Sequence, residues 1–256
     1  MNSRFYVEQG ACFDLMRKLP EHSVDFLLTD PPYGTTSFKW DKKLDWECFW
    51  VEAKRVCKPN AAMALFSCGK FTIQLAMSNF KDYRYKYVWH KQGMPPLGFL
   101  DAKRRPLRAY EEINLFYAKQ PTYNPQLIDA PDKKPKFIGA SWSGQSVYNA
   151  NPRPGEKGIA YKRYPVDTLS FNVSSHKVAR SRHPSQKPLS LLEFLIKTYS
   201  NVGDVVLDPF MGSGSTGRAA LNCNRRFIGF ELDPDFFTSA KDWLKPLTDY
   251  QEKRPK

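Results

Sequence analysis

Negative charge is scarce in this chain. Its 256 residues carry 39 Lys+Arg against 26 Asp+Glu, a formal net charge of +13. Long apolar runs are missing too: none approaches the roughly 20 residues that a membrane-spanning helix needs, which excludes a helical membrane protein. The opening Met1–Gly10 lacks a signal-peptide pattern. Cysteine is sparse, and Cys12, Cys48, Cys57, Cys68 and Cys223 stand far apart, with no C-x-x-C pair and no His at ligand spacing. Neither a disulfide framework nor a metal site is expected. These absences point to a reduced, cytoplasmic chain of one large domain or two small ones.

What charge there is lies unevenly. Between Lys81 and Lys187 there are 20 Lys+Arg and 8 Asp+Glu, so almost all of the excess falls in the middle of the chain. A field of this kind suits a polyanion, because Lys and Arg that neutralise phosphates release condensed counterions. The bland alternative is a solvated basic surface kept for solubility.

On both sides of that stretch, short apolar strands alternate with helical patterns. Phe5–Gln9, Val24–Thr29, Ala61–Ser67, Tyr83–His90, Glu112–Ala118, Val205–Leu207 and Arg226–Leu232 read as strands; Ala11–Leu19, Leu44–Val56, Phe71–Phe80, Leu189–Ser200, Thr216–Leu221 and the stretch after Pro234 read as helices. This alternation implies an α/β fold with a mostly parallel sheet covered on both faces. Ligands then belong at the carboxyl ends of its strands. Residues 121–183 differ, with prolines at 121, 125, 131, 135, 152, 154 and 165 and no sustained period. Their aromatic content is too high for a solvating linker, so an irregular ordered insert is expected.

Two strand ends carry chemistry. After Val205–Leu207 comes Asp208-Pro209-Phe210-Met211-Gly212-Ser213-Gly214-Ser215-Thr216-Gly217, which fits G-x-G-x-x-G between a strand and a helix. Missing Cβ atoms there let a ligand approach the backbone and the helix N-terminus. Glu231 closes the next strand, where a carboxylate can accept from two ribose hydroxyls. The pair suggests an adenosine-containing cofactor; a tight turn with packing glycines is the plainer alternative, and the missing Gly-Lys-Ser/Thr ending argues against an NTPase loop.

The other strand end is Asp30-Pro31-Pro32-Tyr33. Proline has no N–H, so its carbonyl stands as a bare acceptor beside the Asp30 carboxylate. Together the two can grip one NH₂ group, and Tyr33 offers a flat face for a heterocycle. An exocyclic base amine is a poor nucleophile because its lone pair is delocalised into the ring. Two acceptors on its hydrogens favour a tetrahedral nitrogen whose lone pair points at an electrophile. A proline turn that merely closes a strand is the structural alternative.

Asp25-Phe26-Leu27-Leu28-Thr29-Asp30-Pro31-Pro32-Tyr33-Gly34, with His183-Pro184-Ser185-Gln186-Lys187-Pro188 and the loop Asp208–Thr216, resembles the amino-group DNA methyltransferases of bacteria and phages. The D-P-P-Y motif precedes the cofactor loop with a variable region between them, which is similar to the β arrangement of that family. The resemblance implies a Rossmann-like core with a mostly parallel seven-stranded sheet, formed by residues 1–120 (with a basic loop at 92–110) and 183–256, and a target-recognition insert at 121–182. It implies S-adenosyl-L-methionine as cofactor, held by Asp208, Phe210, Gly212, Gly214, Ser215, Thr216 and Glu231, with Asp30 and Lys187 alongside. Asp30, Pro31, Pro32 and Tyr33 then form the catalytic set, with no metal.

Methylating a base amine in a duplex requires flipping the base out of the stack, so double-stranded DNA is the implied partner. Lys103, Arg104, Arg105, Arg108, Arg163, Arg180 and Arg182 are the expected DNA contacts, and Gly93-Met94-Pro95-Pro96 a hinged lid. The resemblance also admits a homodimer and a cognate restriction endonuclease. The aspartate form of the motif leans toward adenine N6. Cytosine N4 stays open, as does a non-catalytic DNA-binding protein that kept the fold.

Overall fold

The structure is a computed structural model that describes residues 4–34, 43–129, 162–172 and 186–252. In chain order the elements are β1 (Phe5–Gln9), α1 (Cys12–Arg17), β2 (Val24–Thr29), α2 (Trp46–Val56), β3 (Cys57–Ser67), α3 (Lys70–Ser78), β4 (Tyr83–Gln92), β5 (Tyr110–Phe116), β6 (Ile128–Asp129), β7 (Lys162–Arg163), β8 (Thr168–Asn172), α4 (Leu189–Tyr199), β9 (Val205–Asp208), α5 (Ser215–Asn222), β10 (Arg226–Glu231) and α6 (Pro234–Glu252).

Eight strands form one sheet in the order β1-β10-β9-β2-β3-β5-β4-β8. All neighbours run parallel except β5, which is antiparallel to both β3 and β4. Eight strands replace the seven expected, because Thr168–Asn172, read from the sequence as part of the insert, adds parallel to β4 with Val88 opposite Thr168. Its T-L-S-F-N does alternate polar and apolar, with Leu169 buried, but five residues beside a proline-rich stretch are too short to single out, and the pairing with β4 defines the strand. β3 also starts earlier than the sequence pattern predicts, since Cys57 already pairs with Val24 before Pro59.

Burial on both faces explains the near-continuous apolar strands. On one face Phe26, Leu28, Ala64, Phe66 and Trp89 pack with Leu191, Leu195, Ala219, Ala220 and Leu244 from α4, α5 and α6. On the other, Leu27, Met63, Leu65 and Phe116 pack with Leu15, Met16, Phe49, Ala53 and Leu75 from α1, α2 and α3. α2 begins at Trp46 because the Asp45 carboxylate accepts from the Cys48 N–H at 3.0 Å, a side-chain cap for an otherwise unsatisfied donor.

The described residues within Met1–Asn124 and Asp167–Lys256 form one compact unit, and those within Pro125–Val166 a second. In the second, Ile128–Asp129 pairs antiparallel with Lys162–Arg163. Among the described residues no helix is long and apolar enough to cross a membrane.

Candidate active site

β2 and β9 are parallel neighbours, with Leu27 opposite Leu207, so their carboxyl ends share one rim of the sheet. Two motifs about 180 residues apart are thereby brought side by side. Their seam is a hydrogen bond: the Thr29 hydroxyl donates to Asp208 Oδ1 at 2.6 Å, both residues being buried.

Asp208 organises the glycine loop from within. Besides Thr29, its carboxylate accepts from the Phe210 N–H at 3.2 Å and from the Thr216 hydroxyl. Burial pushes its carboxyl up to about 6 even against these donors, and the negative charge of Asp30 adds to the rise. Gly212 and Gly214 have φ of 49° and 79°, a region that favours glycine, and Gly214 leads directly into α5. Gly217 does a different job: a Cβ there would lie 2.5 Å from the Phe227 ring, so this glycine lets α5 pack on β10.

Glu231, at the end of β10, ties the loop down. Its Oε2 accepts from the Gly212 N–H and its Oε1 from the Asp233 N–H, each at 2.8 Å. Burial raises its pKa. The Leu232 N–H also donates to this carboxylate, which still has accepting capacity left for a hydroxyl donor. Phe210 stacks toward Phe49 with ring centres 6.2 Å apart and stays partly exposed at the rim.

A cofactor carrying a cationic sulfonium, an ammonium and ribose hydroxyls needs acceptors, and the residues present fit it. Glu231 supplies free lone pairs, Asp30 stands on the same rim, and the Gln186 side-chain carbonyl is buried without a hydrogen-bond partner among the described residues. Ser215 and Thr216 open α5, where backbone N–H groups point outward toward the loop.

At the end of β2, Asp30 is held from two sides. The Tyr33 hydroxyl donates to Oδ1 at 2.7 Å, and Lys187 Nζ lies 2.6 Å from Oδ2. The Tyr33 ring stacks on Phe71 of α3 at 4.5 Å between centres, which covers one of its two faces. Pro31 is buried and Pro32 half-buried.

Lys187 itself is sandwiched. It reaches Glu111 Oε2 at 3.2 Å as well as Asp30, and its ammonium lies 5.0 Å from the centre of the Phe66 ring. Glu111 is paired in turn with Lys91 across the β4–β5 hairpin. Burial opposes charge on every member. For Asp30 burial wins, assisted by the like charge of Glu111, and its pKa is raised despite Lys187. For Glu111 burial loses to the attraction of Lys187 and Lys91, and its pKa is lowered. Lys187 is held protonated, its pKa raised by the two carboxylates.

The structure therefore brings together Asp30, Pro31, Pro32, Tyr33, Lys187 and the Asp208–Thr216 loop, with Glu231 beside the loop. Lys187 sits on Asp30, where sequence reasoning had grouped it with the cofactor contacts. Glu111, Lys91, Phe71 and Thr29 were missed. A partial signal for Glu111 was present: Glu111-Glu112 stands in a largely buried strand, and alternation sends the two carboxylates to opposite faces, each to a lysine on β4.

The basic loop between β4 and β5 rises from the same rim, because β4 runs parallel to β3 through their shared neighbour β5. Lys103, Arg104 and Arg105 on it are exposed, and Arg105 pairs with Asp101 at 2.5 Å. Arg108 is anchored, donating to Cys68 Sγ at 3.0 Å just past the end of β3. Arg163 lies in the second unit, while Arg180, Arg182 and His183 lie outside the described residues. Among the described residues no cluster of three or more His, Cys, Asp or Glu could hold a metal ion.

Comparison with known proteins finds DNA methyltransferases. The chain is 25% identical over 97% of its length to the type II methyltransferase M.BglII of Bacillus subtilis, of which it covers 71%. It is 29% identical over 86% of its length to the DNA adenine methyltransferase YhdJ of Escherichia coli K12, covering 76% of that protein. The cytosine-N4-specific PvuII DNA methyltransferase has the same fold, with a TM-score of 0.66 at 16% identity over 96% of this chain and 92% of that one. The M1.HpyAVI complex with SAM gives 0.61 at 24% identity, over 94% and 100%. Residues 24–242, most of the chain, match the N6_N4_Mtase family, described as DNA methylase, and the chain belongs to that family.

Proposed function

We propose that this protein transfers a methyl group from S-adenosyl-L-methionine to the N6 amine of adenine in duplex DNA. The observation that carries this reading is the placement of Asp30, gripped by Tyr33 and Lys187, beside the Asp208 loop on one rim of the sheet. When bound, the cofactor supplies a methyl already activated on a sulfonium. Gly212, Gly214, Ser215 and Thr216 hold it through backbone and hydroxyl groups, Glu231 takes its ribose hydroxyls, and Phe210 covers its adenine.

Asp30 and the Pro31 carbonyl accept from the two hydrogens of the target amine. Tyr33 and Lys187 each occupy one side of the Asp30 carboxylate and fix its remaining lone pairs toward the substrate. The free face of Tyr33 stacks on the flipped base, while Phe71 backs the other face. Once nitrogen has taken the methyl it must lose a proton. Asp30 receives it, and its raised pKa suits that task. Lys103, Arg104 and Arg105 contact the phosphates.

The choice of adenine follows the aspartate in Asp30-Pro31-Pro32-Tyr33 and is supported by the likeness to YhdJ. Incubation with labelled cofactor and mixed-sequence duplex, followed by digestion to nucleosides, tests it. The expected product is N6-methyladenine, with Asp30→Ala slower by about 1,000-fold. Label in N4-methylcytosine would move the reading to the other base. An Asp30→Ala variant that matches the parent would overturn the assignment of the site.

A further inference from the structure

The loop between β4 and β5 carries an apolar tip that the catalytic reading leaves unused. Phe99 and Leu100 are 80% and 101% exposed, as open to water as side chains on an extended chain. Two large apolar side chains at full exposure gain nothing from folding and invite burial elsewhere. Both sit in a single 3₁₀ turn, Phe99–Asp101, opened by Gly98 at φ 95°.

That turn is built, with its backbone closed on itself. The Ala102 N–H donates to the Phe99 carbonyl at 3.1 Å, and the Arg104 and Arg105 N–H groups donate to the Asp101 carbonyl at 2.8 and 3.0 Å. Below it, Leu97 and Arg108 exchange backbone hydrogen bonds at 2.8 and 2.9 Å, which pinches the loop into a stem. The stem is fastened to the active-site rim: Arg108 donates to Cys68, three residues before the Phe71 that backs Tyr33, and Glu111, which grips Lys187, follows the loop on β5.

Charge identifies what meets the tip. Lys103, Arg104 and Arg105 follow the apolar pair after Asp101 and Ala102 and are exposed, Arg105 paired with Asp101, so the apolar point is flanked by net positive charge. An apolar partner alone would leave Lys103 and Arg104 unmatched, and a phosphate backbone alone would leave the apolar point unmatched. A DNA duplex offers both, anionic phosphates outside and stacked apolar base faces within.

We infer that Phe99 and Leu100 act as a wedge that enters the base stack of duplex DNA at the gap left by the flipped target base, with Lys103 and Arg104 on the flanking phosphates. The inference rests on the DNA methyltransferase reading above. A flipped base loses its stacking neighbours and its pairing partner, and its departure leaves a hole that water fills poorly. A wedge in the hole holds the base out, so it lowers the cost of flipping without touching the methyl transfer itself. Phe99 and Leu100 are thus positioning residues, separate from the groups at Asp30.

The test uses the whole protein and a duplex containing the sequence at which its methylation maps. The double variant Phe99→Ala/Leu100→Ala removes the tip, and the exposure of both side chains leaves the fold intact. Single-turnover methylation is measured on the fully paired duplex and on the same duplex with the target base mismatched, so that flipping costs less. On the paired duplex the variant is expected to be about 10- to 100-fold slower, and on the mismatched duplex within about threefold of the parent. Leu100→Met, which keeps a large apolar side chain, is expected to hold the parent rate on both. Equal slowing on the two duplexes, or no slowing on either, would overturn the wedge while the parent still methylates DNA. A parent that methylates no duplex at all would overturn the function reading and the wedge with it.

Discussion

Lys187 Nζ lies 2.6 Å from Asp30 Oδ2, joining a residue of the H-P-x-Q-K-P segment to the end of β2, 157 positions away. The ammonium is nearly buried, with 9% of its side chain exposed, and a second carboxylate, Glu111, shares it. A buried cation between two carboxylates fixes the orientation of both, since any rotation of Asp30 forfeits a charge-assisted hydrogen bond in a low dielectric.

This placement predicts how Lys187→Gln behaves. Asp30 keeps its Tyr33 donor but loses its cation, so the grip on the target amine slackens. The turnover rate is expected to fall about 100-fold, the cost of a small misplacement at a reacting centre. Cofactor affinity measured by calorimetry should stay within about threefold. The opposite split, affinity lost and turnover kept at saturating cofactor, would return Lys187 to the cofactor contacts.

A pH prediction follows from the same trio. Asp30 can take up the proton that the methylated amine must lose only when it is ionised, and burial with the like charge of Glu111 raises its pKa. Activity should therefore fall with acidification at a pH above the ordinary carboxylate range near 4, as a property of the coupled pair. Glu111→Gln removes the repelling charge and leaves Lys187 to Asp30 alone. The acid limb of kcat/KM should then move to lower pH. A limb that stays put, or moves up, would show that Glu111 does not bear on Asp30.

Stability should carry its own pH signature from Asp208. Its carboxyl titrates at about 6 when folded and near 3.9 when unfolded, so the folded state holds the proton more tightly. The contribution is full below pH 4, declines as pH rises, and is gone above 6, at most ~3 kcal/mol. Asp208→Asn cannot ionise, and its side-chain oxygen still accepts from the Phe210 N–H. Its melting temperature relative to the parent should rise between pH 4 and pH 6.5. A constant difference across that window would remove Asp208 as the cause.

Much of this site could be read from the chain because its parts are contiguous. Asp30–Tyr33 and Asp208–Thr216 each announce themselves by proline, glycine and the strand that feeds them. Glu111 showed only as a carboxylate in a buried strand and Lys91 not at all, since their meaning arises from the β4–β5 pairing and from Lys187 reaching Glu111. Phe71 looked like an ordinary helix-face residue; what distinguishes it is Tyr33 lying 4.5 Å away. β8 was hidden for a related reason. Its five residues, Thr168–Asn172, do alternate polar and apolar, but so short a run beside a proline-rich stretch does not announce a sheet strand, and only its pairing with β4 places it there.

Electrostatics at the loop tip gives the remaining prediction. Arg104→Gln/Arg105→Gln removes two charges from an exposed turn beside Phe99 and Leu100. Each cation that neutralises one phosphate contributes about 0.9 to the slope of log affinity against log salt. Arg105 already shares its charge with Asp101, so its release of counterions is partial and Arg104 carries the larger share. The slope for duplex DNA, measured by fluorescence anisotropy between low and moderate salt, should therefore fall by about one to two. Cofactor affinity should not change, because neither arginine takes part in the hydrogen bonds that tie Asp208, Gly212 and Glu231 together. An unchanged salt slope would put the phosphates elsewhere on the surface. A parallel loss of cofactor affinity would mean that the loop supports the cofactor rather than the duplex.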